Sequence, residues 1–146
     1  MVKIPAFADV SLRILMVLGA YPDKLLTSEQ LAEQIAVPYN HVIKAMQYLR
    51  KMGLVKVNRG RLGGAKISDA GLEITVGKML RELDNQPDIA ECIRDHNQTC
   101  PLIAECRLRQ SFGRAREAFY RELDGVTIKS LTTNLPQTSA LLRIVF

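Results

Sequence analysis

A chain of 146 residues that is 47% hydrophobic and 24% charged has ample material for one compact core with an appendage. The apolar stretch at residues 14–20 is far shorter than the roughly 20 residues a membrane span needs, and Asp9 and Arg13 interrupt the region where a secretory leader would want an unbroken apolar run, so the chain reads as cytoplasmic. The net charge of +5 is uneven: residues 1–67 carry ten Lys and Arg against four Asp and Glu, residues 68–146 ten against eleven, which puts a polyanion on the first half.

Residues 8–19 are apolar nearly all round (Val10, Leu12, Ile14, Leu15, Met16, Val17, Leu18), the pattern of a helix buried on several sides. Tyr21-Pro22-Asp23 closes it. A second helix starts at Thr27 or Ser28, either a natural N-cap, and Leu31 and Ile35 give it a short apolar face. A turn follows at Ala36-Val37-Pro38, because the residue before a proline is pushed out of helical geometry. A third helix runs over about residues 39–52, with Val42, Ile43, Met46 and Leu49 inward and Asn40, His41, Lys44, Gln47 and Lys51 outward; Gly53 ends it. Helix, tight turn, and helix with a basic, amide-rich outer face is the helix-turn-helix pattern, whose second helix enters the major groove.

Residues 54–68 read as two short strands around Arg59-Gly60-Arg61-Leu62-Gly63-Gly64. Three glycines in five residues allow a tight hairpin, and Arg59 and Arg61 sit at its tip, suited to phosphate or the minor groove. A winged helix is expected. Neither G-x-x-x-x-G-K-S/T nor G-x-G-x-x-G is present, which disfavours a nucleotide loop. With 5% aromatics and no Trp, duplex DNA is a better ligand than stacked single strands.

A helix over residues 75–83 places Val76, Met79, Leu80 and Leu83 on one face. Residues 84–105 have no strong period, and loops of that length are usually functional or disordered. A long helix then spans about residues 107–124 and stops at Gly125, with an apolar stripe of Leu108, Phe112, Ala115, Phe119 and Leu123 and an i,i+4 pair of Glu117 with Arg121. Beyond a complete winged helix it has little of its own domain left to cover, so the stripe predicts a homodimer whose paired recognition helices meet a pseudo-palindromic duplex. Residues 127–131 add a final turn, and the terminal LLRIVF is expected to pack back. The expected fold is mainly α: a winged helix-turn-helix with a two-stranded wing and a long C-terminal dimerisation helix. It divides into a DNA-binding domain (1–83), a cysteine-containing loop (84–106), and the dimerisation helix with its tail (107–146).

That loop holds all three cysteines, Cys92, Cys100 and Cys106, spaced C-x7-C-x5-C. A reducing compartment and an odd count both disfavour disulfides. Neither gap is the C-x2-C of a zinc knuckle, though zinc stays open. Thiolates in an open loop, with Pro101 after Cys100, suit an iron–sulfur cluster about as well as three unligated thiols, and a tetrahedral set lacks its fourth ligand. Asp95, His96 and Glu105 are near in sequence. A metal-free cysteine redox switch would rest on Cys92 beside His96 and would leave the winged helix unexplained.

On PYNHVIKAM in the third helix, RGRLGGAKI in the wing, AEC and CPLIAECRL in the cysteine loop and EAFYRELDGVTIKSL after it, the chain resembles the iron–sulfur branch of the Rrf2-type winged-helix regulators, which includes NsrR, IscR and RirA types. The likeness covers nearly the whole chain. It implies a dimeric transcription repressor, not an enzyme, whose cluster state alters operator binding. The IscR type places a histidine three residues after the last cysteine, where this chain has Arg109. The NsrR type takes an aspartate near the start of the first helix, from the partner subunit, as fourth ligand, and Asp9 in FADVSLRIL matches it. Read without the resemblance, Asp9 is an acidic residue placed favourably near a helix N-terminus, with Arg13 one turn on to position it or to contact DNA. The implied ligand set is Cys92, Cys100, Cys106 and Asp9, holding a 4Fe–4S cluster with 2Fe–2S as the alternative. Nitric oxide is the implied signal, and an iron-responsive, RirA-type regulator is the alternative. The expected DNA contacts are Ser28, Tyr39, Asn40, His41, Lys44, Arg59, Arg61 and Gly63.

Overall fold

Eight of the fifteen residues of helix α1 (Ala6–Ala20) are buried, as its nearly continuous hydrophobicity demands, and the rest of the fold is wrapped around it. The computed structural model describes residues 3–84 and 100–133. Cys92, Asp95, His96 and the terminal LLRIVF lie outside the described residues.

Helix α2 (Ser28–Ile35) is capped by Thr27 rather than Ser28: the Thr27 hydroxyl accepts the Gln30 N–H (3.2 Å) and the Gln30 side chain accepts the Thr27 N–H (2.9 Å). This reciprocal box satisfies two otherwise orphaned donors. Ala36 then takes a left-handed conformation (φ +53°), and α3 (Tyr39–Lys51) starts directly after Pro38. Helix α3 buries Val42, Ala45, Met46 and Leu49 against α1 and α2.

Strand β1 (Val55–Asn58) pairs antiparallel with β2 (Gly64–Ile67), from Val55 opposite Ile67 to Asn58 opposite Gly64. Leu26 exchanges both backbone hydrogen bonds with Ala65 (2.9 and 2.8 Å), so the segment before α2 is tied to the base of the wing. A Cβ at Gly64 would stand 3.0 Å from the Leu26 backbone, and Gly64 has φ +154°; both require glycine.

Helix α4 (Asp69–Glu73) is absent from the sequence-based expectation, because five residues show no period. Its marker is Ser68, whose hydroxyl accepts the Gly71 N–H (3.0 Å) and donates to the Gly53 carbonyl (2.7 Å). Helix α5 (Val76–Leu83) follows its Thr75 cap. After a short 3₁₀ turn (Ile103–Glu105) come α6 (Arg107–Asp124) and α7 (Ile128–Thr132).

The chain beyond α6 returns to the main core. Ile128 donates its N–H to Ile74 (3.1 Å), Val76 donates to Val126 (2.8 Å), and the Ile128 side chain is fully buried in the main core with Ile14, Leu15 and Leu49. A smaller cluster of Ala8, Leu80 and Tyr120, flanked by Phe119 and Leu123, joins α1 and α5 to the second half of α6. Of the expected stripe, Phe119 and Leu123 pack here, whereas Leu108 is 61% exposed; the one buried α6 residue is Tyr120. The reason is that only the C-terminal half of α6 has α5 beneath it. The architecture is thus mainly helical, with a two-stranded wing and a long C-terminal helix. Among the described residues no helix is long and apolar enough to cross a membrane.

Candidate nucleic-acid interface and cysteine site

Because α3 buries every third or fourth residue, its other side carries Tyr39, Asn40, His41, Lys44 and Gln47, all exposed. Pro38 gives α3 no side-chain cap, and while the His41 N–H donates to the Pro38 carbonyl (3.0 Å), the Tyr39 and Asn40 N–H groups precede the helical ladder and suit an acceptor such as phosphate. Ser28, half-buried at the start of α2, lines a groove of about 220 Å³ between α3 and the wing, with Met46, Gln47, Arg50 and Val57. Ile43, expected inward, also borders that groove and is only half-buried.

At the wing tip Arg59 and Arg61 are both exposed. Gly60 has φ +114°, and the Gly63 N–H donates to the Gly60 carbonyl at 2.9 Å. A Cβ at Gly63 would sit 2.6 Å from the Asn58 carbonyl oxygen and 2.7 Å from that of Gly60, so the turn closes only around glycine. Ser28, Gln47 and Arg50 of the two helices and Val57 and Gly64 at the base of the hairpin thus border one groove. Leu62, not singled out from the sequence, is 91% exposed between Arg61 and Gly63.

Cys100 and Cys106 are free thiols, both half-buried, at either side of the 3₁₀ turn. Cys106 is the N-cap of α6: its sulfur accepts the Arg109 N–H at 3.4 Å. Asp9, in the first turn of α1, pairs with Arg13 (2.8 Å) and accepts a second bond from its Nε (3.1 Å); both side chains are about half exposed. Arg13 thus orients the Asp9 carboxylate, as its place one turn on anticipated. Among the described residues no three His, Cys, Asp or Glu side chains converge. Two accessible thiols and an exposed carboxylate are suitable donors for iron, yet one chain does not bring them together.

The residue before the cysteine segment is held more firmly than its sequence indicated. Tyr120 donates a hydrogen bond to the Asp84 carboxylate, and Arg116 lies 3.7 Å from that carboxylate. Burial, with the bond to Asp84 second, pushes the Tyr120 hydroxyl above its usual range. Arg81 stacks over the Tyr120 ring (4.7 Å) and grips Glu117 with two bonds of 3.0 Å and Asp124 with one of 2.9 Å. The bonds from Arg81 hold the Glu117 carboxyl below the ordinary carboxylate range. Glu117 therefore takes a hydrogen-bond partner 36 residues away in addition to the charge of the i,i+4 Arg121 expected from the helix alone. No local pattern in the sequence marks this contact.

Residues 4–134 match the profile of the Rrf2 family, described as iron-dependent transcriptional regulator. The chain is 38% identical over 131 residues to the HTH-type transcriptional repressor NsrR of Streptomyces coelicolor, covering 88% of this chain and 87% of that protein. It is 34% identical over 143 residues to the HTH-type transcriptional regulator NsrR of Halalkalibacterium halodurans, covering 97% and 98%. Among solved structures, CymR, the global cysteine regulator of B. subtilis, superposes with a TM-score of 0.74 at 24% identity, over 93% of this chain and 100% of that one. IscR from T. potens superposes with a TM-score of 0.71 at 17% identity, over 90% and 87%. At those identities the two structures establish the fold alone, and it is the winged-helix fold expected from the sequence.

Proposed function

The chain belongs to the Rrf2 family and is a DNA-binding transcription regulator rather than an enzyme, and from that premise we propose a homodimeric repressor that releases its operator in response to nitric oxide through an iron–sulfur cluster. Support comes above all from the attachment of the cysteine segment at both ends. Asp84, where it leaves α5, is bound by Tyr120 of α6, and Cys106, where it ends, is itself the cap of α6. A change at the thiolates therefore acts directly on the helix that the dimer would use.

In this reading Cys92, Cys100 and Cys106 hold the cluster and Asp9 completes the set from across the dimer, with 4Fe–4S favoured over 2Fe–2S. The bound cluster supplies iron sites with which nitric oxide reacts. Asp9, the one oxygen donor among thiolates, would be the ligand least firmly held by iron. Its helix, α1, packs on α3, so a freed Asp9 would relax the spacing of the two recognition helices and would shift the population towards a dimer that fits the operator poorly. Tyr39, Asn40, His41 and Lys44 would meet the major groove, Ser28 and the α3 N-terminus the backbone, and Arg59, Arg61 and Gly63 the flanking minor groove. The three-part division of the chain serves this reading as a division of roles.

The test is a titration of anaerobically purified protein with nitric oxide, following visible absorption and operator binding together. Loss of binding at a few equivalents is expected. Insensitivity to nitric oxide with release on iron depletion would transfer the reading to iron sensing, and a colourless protein holding stoichiometric zinc would end the cluster assignment. Asp9→Ala should keep the dimer and make the cluster labile; unchanged cluster lifetime removes Asp9 from the ligand set.

A further inference from the structure

We propose that Leu62 is an apolar DNA contact: the wing tip presses this side chain against the deoxyribose wall of the minor groove while Arg59 and Arg61 hold the phosphates on either side. The inference deepens the DNA-binding reading and rests on it.

Isolated exposed leucines are common and need no explanation. Leu62 differs in where and how it is held. At 91% it is the most exposed large hydrophobic side chain among the described residues. Its backbone is nonetheless fixed, by the four-residue strand register, by the Gly60–Gly63 hydrogen bond and by a turn with no room for a Cβ at Gly63. A rigid tip thus holds out an apolar side chain with almost no protein contact. Its electrostatic setting names the partner: residues 34–68 contain seven Lys and Arg and no Asp or Glu. A second copy of this surface would repel the first, whereas a polyanion with an apolar wall matches both properties. The minor groove is such a surface, lined by sugar C–H groups between two rows of phosphate, and apolar wedges at base steps are an established way of gripping it. The base of the wing also borders α3 at Ile43, Gln47 and Arg50, so a duplex seated on that helix would continue towards the tip.

The experiment uses the full-length protein, prepared anaerobically, and a duplex that this protein enriches from a random pool. Leu62→Ala should weaken binding about tenfold, the scale expected for losing most of a leucine's buried apolar surface. The slope of log affinity against log salt should stay unchanged, since no phosphate contact is removed. Arg59→Ala should lower that slope. Leu62→Met should restore most of the affinity, while Leu62→Lys should not, despite adding a cation. An Ala variant that binds as well as the parent, or a Lys variant that binds more tightly, overturns the proposal. So does an Ala variant impaired only in binding phosphatidylglycerol vesicles, which would assign Leu62 to a lipid surface. Failure of the parent protein to enrich any duplex is distinguishable from these results and defeats the DNA reading itself.

Discussion

Thr27 illustrates how one side chain sets the angle at which a functional helix is presented. Its box with Gln30 begins α2 immediately after Leu26, the residue bonded to Ala65 of the wing, so the cap fixes both the helix and its distance from the hairpin. Thr27→Ala should cost about 1 kcal/mol, within the usual range for a lost N-cap, and urea unfolding would measure it. If stability is unchanged, the box has no energetic role here. Gly60 carries a different constraint, a φ of +114° that L side chains rarely adopt. Gly60→Ala should strain the tip with little effect on the core, weakening DNA binding more than it lowers the melting temperature. Lys44 sits on the exposed face of α3; Lys44→Ala should reduce affinity and lower the salt slope by about one. A slope identical to the parent's would take Lys44 off the phosphate-contacting surface.

At the scale of elements, the informative contact is the crossing of α5 and α6. Gly77 permits it: a Cβ there would lie 2.7 Å from the Tyr120 carbonyl oxygen and the Asp124 amide nitrogen. Gly77→Ala should force the helices apart and destabilise the fold by about 1–3 kcal/mol, the usual cost of overpacking, seen as a lowered urea midpoint. The polar side of the crossing predicts a pH dependence. Arg81 holds the Glu117 carboxyl below its ordinary value of 4.5. A carboxyl depressed in the fold contributes stability above its unfolded value and loses it as pH falls below that value. Acidification from about pH 5 should therefore loosen α6, and Arg81→Ala should flatten that dependence in melts followed by circular dichroism. What could be read beforehand divides along the same line. The bounds of α6 and the face of α3 follow from Gly125, Gly53 and a 3.6-residue period, all local. The burial of Tyr120 and the Arg81–Glu117 grip could not be read, because α5 and α6 meet across 36 residues of sequence and a helical stripe does not say which half of it finds a neighbour. Asp9–Arg13 was legible as an i,i+4 pair. The Cys106 cap was not, since sulfur is no usual cap and only the three-dimensional turn places it there.

For the whole molecule, the feature that bears on assembly is the pair of exposed leucines on either side of Cys106. Leu108 is 61% exposed and Leu102, four residues before Cys106, 70%, while Phe7 in the first turn of α1 and Ile4 just before that helix are 38% and 44% exposed. In the proposed dimer a second copy covers α6, and the same association brings Asp9 to its partner's thiolates. One substitution should then have three linked effects. Leu108→Glu places a charge on a side chain that is already 61% exposed, so the monomer should fold as before, with an unchanged helical spectrum. Sedimentation should show it shifting to monomer at micromolar concentration. Its cluster should become as labile as that of Asp9→Ala, because the fourth ligand is no longer delivered. Its operator affinity should fall by 10²-fold or more, since two half-sites bound in one event become two separate events. Unlinked effects decide between architectures: a variant that stays dimeric assigns the interface elsewhere, and a monomer with a stable cluster means that one chain holds all four ligands.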